Sequence, residues 1–422
     1  MKRSLLLLLA ILLVFTTVQA SPGNDTLSRP AQSFDPEAAT QQYLHQLPAK
    51  NKERSDHYFE GGYWLLLWNV LYDAVGVWIF MFAGLSQWMK KTSSRFRSIN
   101  MQNWAYALLF ILFSFLLSFP MAVYQGFIRE HAYGLSNQTF PQWMGDMLKS
   151  LMVELILGGA GLMVLYWAVR KTGRRWWIWG AGIVILFMTL LQMIFPVFIS
   201  PLFNNYKPLA EGPVKASILS MARANQVPAD NVYEFDASLQ SSRISANVSG
   251  FGSTTRVSLN DNLLHRCTPQ EIKAVMGHEL GHYVLNHVYK NTIAFGLVIF
   301  FGFLFVKVLF ERLLRRWGPR WKIADVSDIG GLPLVAFLLS LYLFLVTPVT
   351  NTIIRNSETE ADLFGLNTAR EPDGFAAVSL KLSEYRKIDP GYWEEIIFFD
   401  HPSGRHRIYS AMVWKAEQLK QP

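Results

Sequence analysis

A chain of 422 residues that is 51% hydrophobic and only 17% charged is not an ordinary soluble enzyme, since soluble domains carry about a quarter charged residues. Its formal net charge of +8 raises nucleic acid as a partner. The basic residues stand at the ends of apolar runs, however, and not in an aromatic-interleaved patch, so the reading is membrane lipid and no nucleic acid. One cysteine, Cys267, excludes an intrachain disulfide and a multi-cysteine zinc site.

In chain order, Met1-Lys2-Arg3, an apolar run and Val18-Gln19-Ala20 predict a signal peptide over 1–20, with an uncleaved anchor as the alternative. A polar, exported segment follows over 21–60. Apolar stretches at 63–85, 104–125, 151–169 and 178–199 predict four transmembrane helices within 61–203. Two more, 291–310 and 329–352, fall within 291–354. Each holds about 20 residues, enough to cross a ~30 Å hydrocarbon core. Pro120, Pro196 and Pro348 stand late in their runs, where they kink or end helices. Asp73 and Glu154 lie inside spans, where carboxylates face a cavity or a partner. Basic residues cluster around 90–97, 170–175 and 307–322. By the positive-inside rule that face is cytoplasmic, so 204–290 and 355–422 are exported.

The polar region 204–290 reads as a small α+β insert. Strands are expected at 232–235, 244–251 and 255–259, with a Gly252-Ser253 turn in the last pair. An exposed edge there would bind an extended peptide by strand addition; an ordinary packed hairpin is the equal alternative. Thr268-Pro269-Gln270-Glu271 is a capping box, and Ile272, Val275, Met276 and Leu280 give the following helix an apolar stripe.

That helix carries HELGH at 278–282. His278 and His282, four apart, stand one turn apart on one face, where both imidazoles can bind one Zn²⁺. Glu279 is then placed to take a proton from a water polarised by that ion. His287, nine after His278, misses the spacing of a third histidine ligand and reads as structural or as support for a ligand. A catalytic zinc takes three protein ligands and leaves one position open. Glu358 and Asp362, four apart in RNSETEADLFG (355–365), share a helix face. Glu358 can coordinate, and Asp362 can hold a histidine by its second ring nitrogen. A solvated acidic helix start is the alternative. Glu360 points elsewhere on that helix.

HELGH together with RxxExxAD at 355–362 resembles the membrane zinc metallopeptidases, and the type I CAAX prenyl endopeptidase family in particular. YGLSNQTFPQW (133–143), ISPLFNNYKPL (199–209), SGFGSTTRVSLNDNLL (249–264) and HPSGRHRI (401–408) resemble its blocks in the same order. The chain departs from the family pattern at Ile354, where a serine is usual. It departs again at Ala246-Asn247-Val248, where the substrate-edge strand usually reads Asn-Ala-aromatic. The resemblance implies a mainly α, multi-pass membrane helical barrel with an inserted α+β zinc-metalloprotease domain. It implies zinc on His278, His282 and Glu358, Glu279 as general base, and Asp362, His401 and Arg407 as supporting or transition-state groups. His401 is the first candidate oxyanion donor and Arg407 the second.

The expected activity is zinc-dependent hydrolysis of peptide bonds in peptides or membrane-associated proteins. A zinc hydrolase of a lipid-linked non-peptide substrate, and a transporter or receptor with a structural metal, are the alternatives. The leader and charge pattern place the protein in a bacterial inner membrane with the site on the periplasmic face. The oligomeric state is not legible.

Overall fold

A computed structural model of the protein describes residues 34–250 and 255–420. The signal-peptide segment 1–20 and the Gly252-Ser253 turn lie outside them. α1 (Pro36–Leu44) leads to α2 (Ala49–Met81), the first long apolar helix. Gly84, at φ 86°, turns the chain into α3 (Leu85–Ser93). α4 (Ile99–Val123) keeps Pro120 inside the helix and is followed by a π turn at Tyr124–Ile128. α5 (Phe140–Val153) continues through a π turn at Glu154–Gly158 into α6 (Gly159–Thr172). Gly173, at φ 51°, then reverses the chain into α7 (Trp176–Ile194), and Pro196 sits in the π turn that follows. α6 and α7 pack closely; a Cβ on Gly161 would lie 3.3 Å from the Phe187 ring.

The next elements form the insert: β1 (Tyr206–Pro208), α8 (Pro213–Ala224), β2 (Val232–Phe235), β3 (Ala246–Ser249) and β4 (Arg256–Asn260). The sheet order is β1-β2-β4-β3. β2 and β4 run parallel, while β1–β2 and β3–β4 are antiparallel. The sequence gives no sign of β1, which is too short to show alternation, and β3 starts two residues later than expected. α9 (Asp261–Arg266) leads to α10 (Pro269–Val284). The capping box forms: the Thr268 N–H donates to Glu271 Oε2 at 2.6 Å. Ile218, Val232, Val257, Leu259, Leu263 and Met276 bury a core between sheet, α8 and α10.

α11 (His287–Trp321) returns into the apolar zone. α12 (Leu332–Leu345) and α13 (Thr347–Ala369) follow, bent by 59° from one another. Pro348 stands in the first turn of α13, so it opens a helix there and does not end one. α14 (Pro372–Leu382), α15 (Tyr392–Phe398) and α16 (Gly404–Leu419) complete the chain.

Four helical runs, 49–81, 99–132, 140–202 and 287–321, are long and apolar enough to cross a membrane; the bent α12–α13 pair makes a fifth. The 63-residue run 140–202 reverses at Gly173, so it contains two of the expected apolar spans side by side. In these runs only 6–33% of the most apolar window is buried against protein. Side chains so apolar and so little covered belong in lipid. A second core closes one end of the bundle, where Tyr106, Trp176, Phe303, Phe310 and Trp321 meet. Inside the spans, Asp73 accepts a hydrogen bond from Ser340 at 2.6 Å.

Candidate metal centre

Small residues bring α10 and α13 together. A Cβ on Gly365 would lie 2.8 Å from the His278 backbone nitrogen, and one on Gly277 3.0 Å from the Gly365 carbonyl. A Cβ on Gly281 would lie 3.2 Å from the Ala361 Cα. With no side chain between the two backbones, the histidines of α10 and the carboxylates of α13 reach one small volume.

His278 Nε2 and His282 Nε2 lie 3.1 Å apart. Glu358 places Oε2 3.3 Å from His278 Nε2 and Oε1 3.4 Å from His282 Nε2. These separations match the edge of a tetrahedron with bonds of ~2.0–2.1 Å, which is about 3.4 Å. Glu358 Oε2 is buried and accepts no hydrogen bond. The Nδ1 atoms are engaged elsewhere: His278 Nδ1 with Asp362 Oδ1 at 2.7 Å, His282 Nδ1 with His287 Nδ1 at 2.9 Å. Two imidazole nitrogens and a carboxylate therefore face one another with too few protons among them. His278, His282 and Glu358 fit a divalent cation, and zinc suits this nitrogen and oxygen set.

Burial lowers His278, but the adjoining carboxylates of Asp362 and Glu358 outweigh that and push it up to about 9. Burial and the neighbouring His278 bring His282 down to about 4. Burial pushes Glu279 up to about 7.

Around these groups, Arg407 donates from Nε to Asp362 Oδ2 at 2.9 Å. Its Nη2 donates to the other Asp362 oxygen. Arg407 thus braces Asp362 while it also lines the cavity that holds Glu279. His401 turns Nε2 to within 3.2 Å of Glu358 Oε2, while its Nδ1 meets Asp400 Oδ1 at 2.7 Å. Glu360 faces away from the centre, toward His287 at 3.1 Å and Lys290 at 2.6 Å.

Two cavities adjoin the centre. The smaller, about 160 Å³, is lined by Glu279, Leu263, Val275, Phe375 and Leu382. The larger, about 580 Å³, runs from His282 along Asn247, Val248 and Ser249 of β3. Tyr385 and Arg386 also line the smaller cavity. No sequence motif marks the segment that carries them.

Residues 36–205 match the family described as CAAX prenyl protease N-terminal, five membrane helices, and residues 208–415 match peptidase family M48. The chain is 32% identical over 283 residues to the uncharacterized metalloprotease YhfN of Bacillus subtilis (strain 168), covering 66% of each chain. It is 27% identical over 366 residues to the CAAX prenyl protease 1 homolog of Mus musculus, covering 75% of this chain and 76% of that one. The crystal structure of S. mikatae Ste24p shares the fold, with a TM-score of 0.70, 21% identity and coverage of 89% of this chain and 94% of that one. With both halves matched, and a three-donor centre fit for a divalent ion within the second, the chain belongs to peptidase family M48 and is a multi-pass membrane metallopeptidase that uses zinc.

Proposed function

We propose that His278, His282 and Glu358 hold one zinc ion and that Glu279 is the general base of an endopeptidase acting on peptides or membrane-associated proteins. The observation that carries this is the set of three donors, 3.1 to 3.4 Å apart, beside a carboxylate that lines a cavity. Bound zinc supplies Lewis-acid polarisation of water and of the scissile carbonyl. Glu279 takes the proton of the attacking water and returns it to the departing amine. A carboxyl raised by burial to about 7 suits a group that must both accept and release a proton near neutrality. His401, oriented by Asp400, is the hydrogen-bond donor to the developing oxyanion. Asp362 fixes the His278 ring, and Arg407 fixes Asp362.

β3 ends the sheet, and the larger cavity runs along it. An extended substrate adding to β3 would lie in that cavity, with an apolar side chain entering the pocket of Leu263, Val275, Phe375 and Leu382. The rice and mouse relatives are named CAAX prenyl proteases. A cavity of about 530 Å³ lined by Trp64, Leu65, Trp68, Tyr72 and Met121 gives this chain room for a lipid chain or an apolar segment. We read prenyl peptides as accommodated substrates and damaged or exported membrane proteins as the native ones. The site faces the periplasm of a bacterial inner membrane. Supporting this, the basic connections meet at one end of the bundle: Lys90 pairs with Asp328, Gln87 donates to the Arg320 carbonyl and Arg170 to Asn100.

The test is cleavage of an unstructured protein by the purified protein in detergent. Glu279→Gln should keep its zinc and lose turnover by at least ~10²-fold. Undiminished cleavage by that variant, with zinc confirmed, would overturn the assignment.

A further inference from the structure

His287 is 2% exposed and has no part in the chemistry above. Its position is set by a break in the chain. α10 ends at Val284, Asn286 takes the left-handed conformation at φ 58°, and α11 starts at His287. In an unbroken helix residue 287 would point about 140° away from residue 282. The break instead brings the two rings to a centroid separation of 5.0 Å, with their Nδ1 atoms 2.9 Å apart. On its far side His287 Nε2 lies 3.1 Å from Glu360 Oε2, an oxygen that also accepts from Lys290 at 2.6 Å.

Proton bookkeeping along this row has one consistent solution for a neutral His287. A carboxylate oxygen only accepts, so His287 Nε2 carries the hydrogen. Nδ1 of the same ring is then a lone pair, and His282 Nδ1 must carry the hydrogen between them. That leaves His282 Nε2 as a lone pair directed at His278 Nε2 and Glu358, the form a metal requires. The two histidines of HELGH are thus supported differently. His278 rests on a buried carboxylate, whereas His282 rests on a neutral imidazole backed by the half-exposed Glu360.

We infer that His287 is a positioning residue for zinc: it fixes the tautomer and orientation of His282 and is itself fixed by Glu360. The inference rests on the reading of His282 as a zinc ligand. Partners of metal-bound histidines typically change metal affinity 10- to 100-fold when removed. His287→Leu, which fills space but accepts nothing, should therefore weaken zinc binding about 10- to 100-fold. His287→Gln offers an oxygen to His282 and an N–H to Glu360, and should stay within about threefold of the parent. Glu360→Ala, which frees the outer end of the row, should fall between the two.

The experiment measures zinc affinity of the full-length protein in detergent by competition with a chromogenic chelator, and the thermal unfolding of each metal-free variant. His282→Ala serves as control. Wild-type zinc affinity in His287→Leu, or a loss in His287→Gln as large as in His287→Leu, would overturn the relay and leave a packing role. If His287→Leu does not fold, the Gln and Glu360→Ala variants decide: a Gln variant near parental affinity with a weakened Glu360→Ala supports the relay, and the reverse order overturns it. Zinc retained at full affinity by His282→Ala would instead sink the metal site itself.

Discussion

Gly365→Ala tests how the metal centre is built, because this position touches no ligand side chain. The new Cβ would lie 2.8 Å from the His278 backbone nitrogen, 3.0 Å from its Cα and 3.2 Å from the Gly277 carbonyl carbon. Ordinary contact begins at 3.4 Å, so the backbones of α10 and α13 must part by about 0.6 Å, the difference between 3.4 and 2.8. None of the three close atoms is the end of a flexible side chain, so nothing can swing away. Overpacking of this kind costs about 1–3 kcal/mol. Glu358 travels with α13 and the histidines with α10, so the shift falls on the ligand separations, which tolerate only about 0.2 Å. If the strain is borne by the zinc-bound state, affinity falls about 5- to 150-fold. Chelator competition reads this directly, with Gly182→Ala as control because nothing lies within 4 Å of its Cβ. Parental zinc affinity and thermal stability in Gly365→Ala would refute the argument that backbone contact sets the site.

Two further outcomes follow from the surroundings of the centre. His401→Ala should lower kcat about 10²- to 10³-fold while zinc affinity stays unchanged; a matching loss of zinc would instead make His401 a ligand. Glu394 is opposed by partial burial, but bonds from Lys387, Tyr63 and the Gly391 N–H hold its carboxyl below the ordinary 4.5. A depressed folded value means that its stabilisation is fully present above 4.5 and is lost as pH falls through the folded value. Thermal stability should therefore drop less between pH 5 and pH 3 in Glu394→Gln than in the parent. Parallel pH curves for the two proteins would remove Glu394 as a tie between α2 and the segment that carries His401.

The parts of the site that were legible in sequence share one property: they are set by short-range rules. HELGH and its capping box follow from helical spacing and local hydrogen bonding, and both form as expected. Glu358 and Asp362 also share a face because they are four apart, and both are buried. What sequence did not disclose depends on interruptions of that spacing. His287 reaches His282 only through the left-handed Asn286; asparagine favours that conformation but does not require it, so the break is not read from the sequence. Arg407 reaches Asp362 from a separate helix, α16, 45 residues along the chain, so helical spacing could not pair them. Pro348 is expected from its place in the sequence to kink or end a long apolar run; the run does bend by 59° just before it, but the proline itself opens the ligand-bearing α13. β1 has three residues, too few for a period of two to appear.

The same geometry separates a catalytic metal from a structural one. Where zinc is structural, its binding energy is folding energy, and chelation unfolds the domain. Here the insert has an apolar core of its own, with Val232, Val257, Leu259 and Leu263 fully buried. α10 and α13 meet through Gly277, Gly281, Ala361 and Gly365 whether or not an ion lies beyond them. Chelation should therefore abolish cleavage while leaving far-ultraviolet circular dichroism and tryptophan fluorescence nearly unchanged, and added zinc should restore activity without a refolding lag. Collapse of the helical signal on chelation would show that the ion holds the insert together, and a structural metal in a transporter or receptor would then be the better account of the three donors.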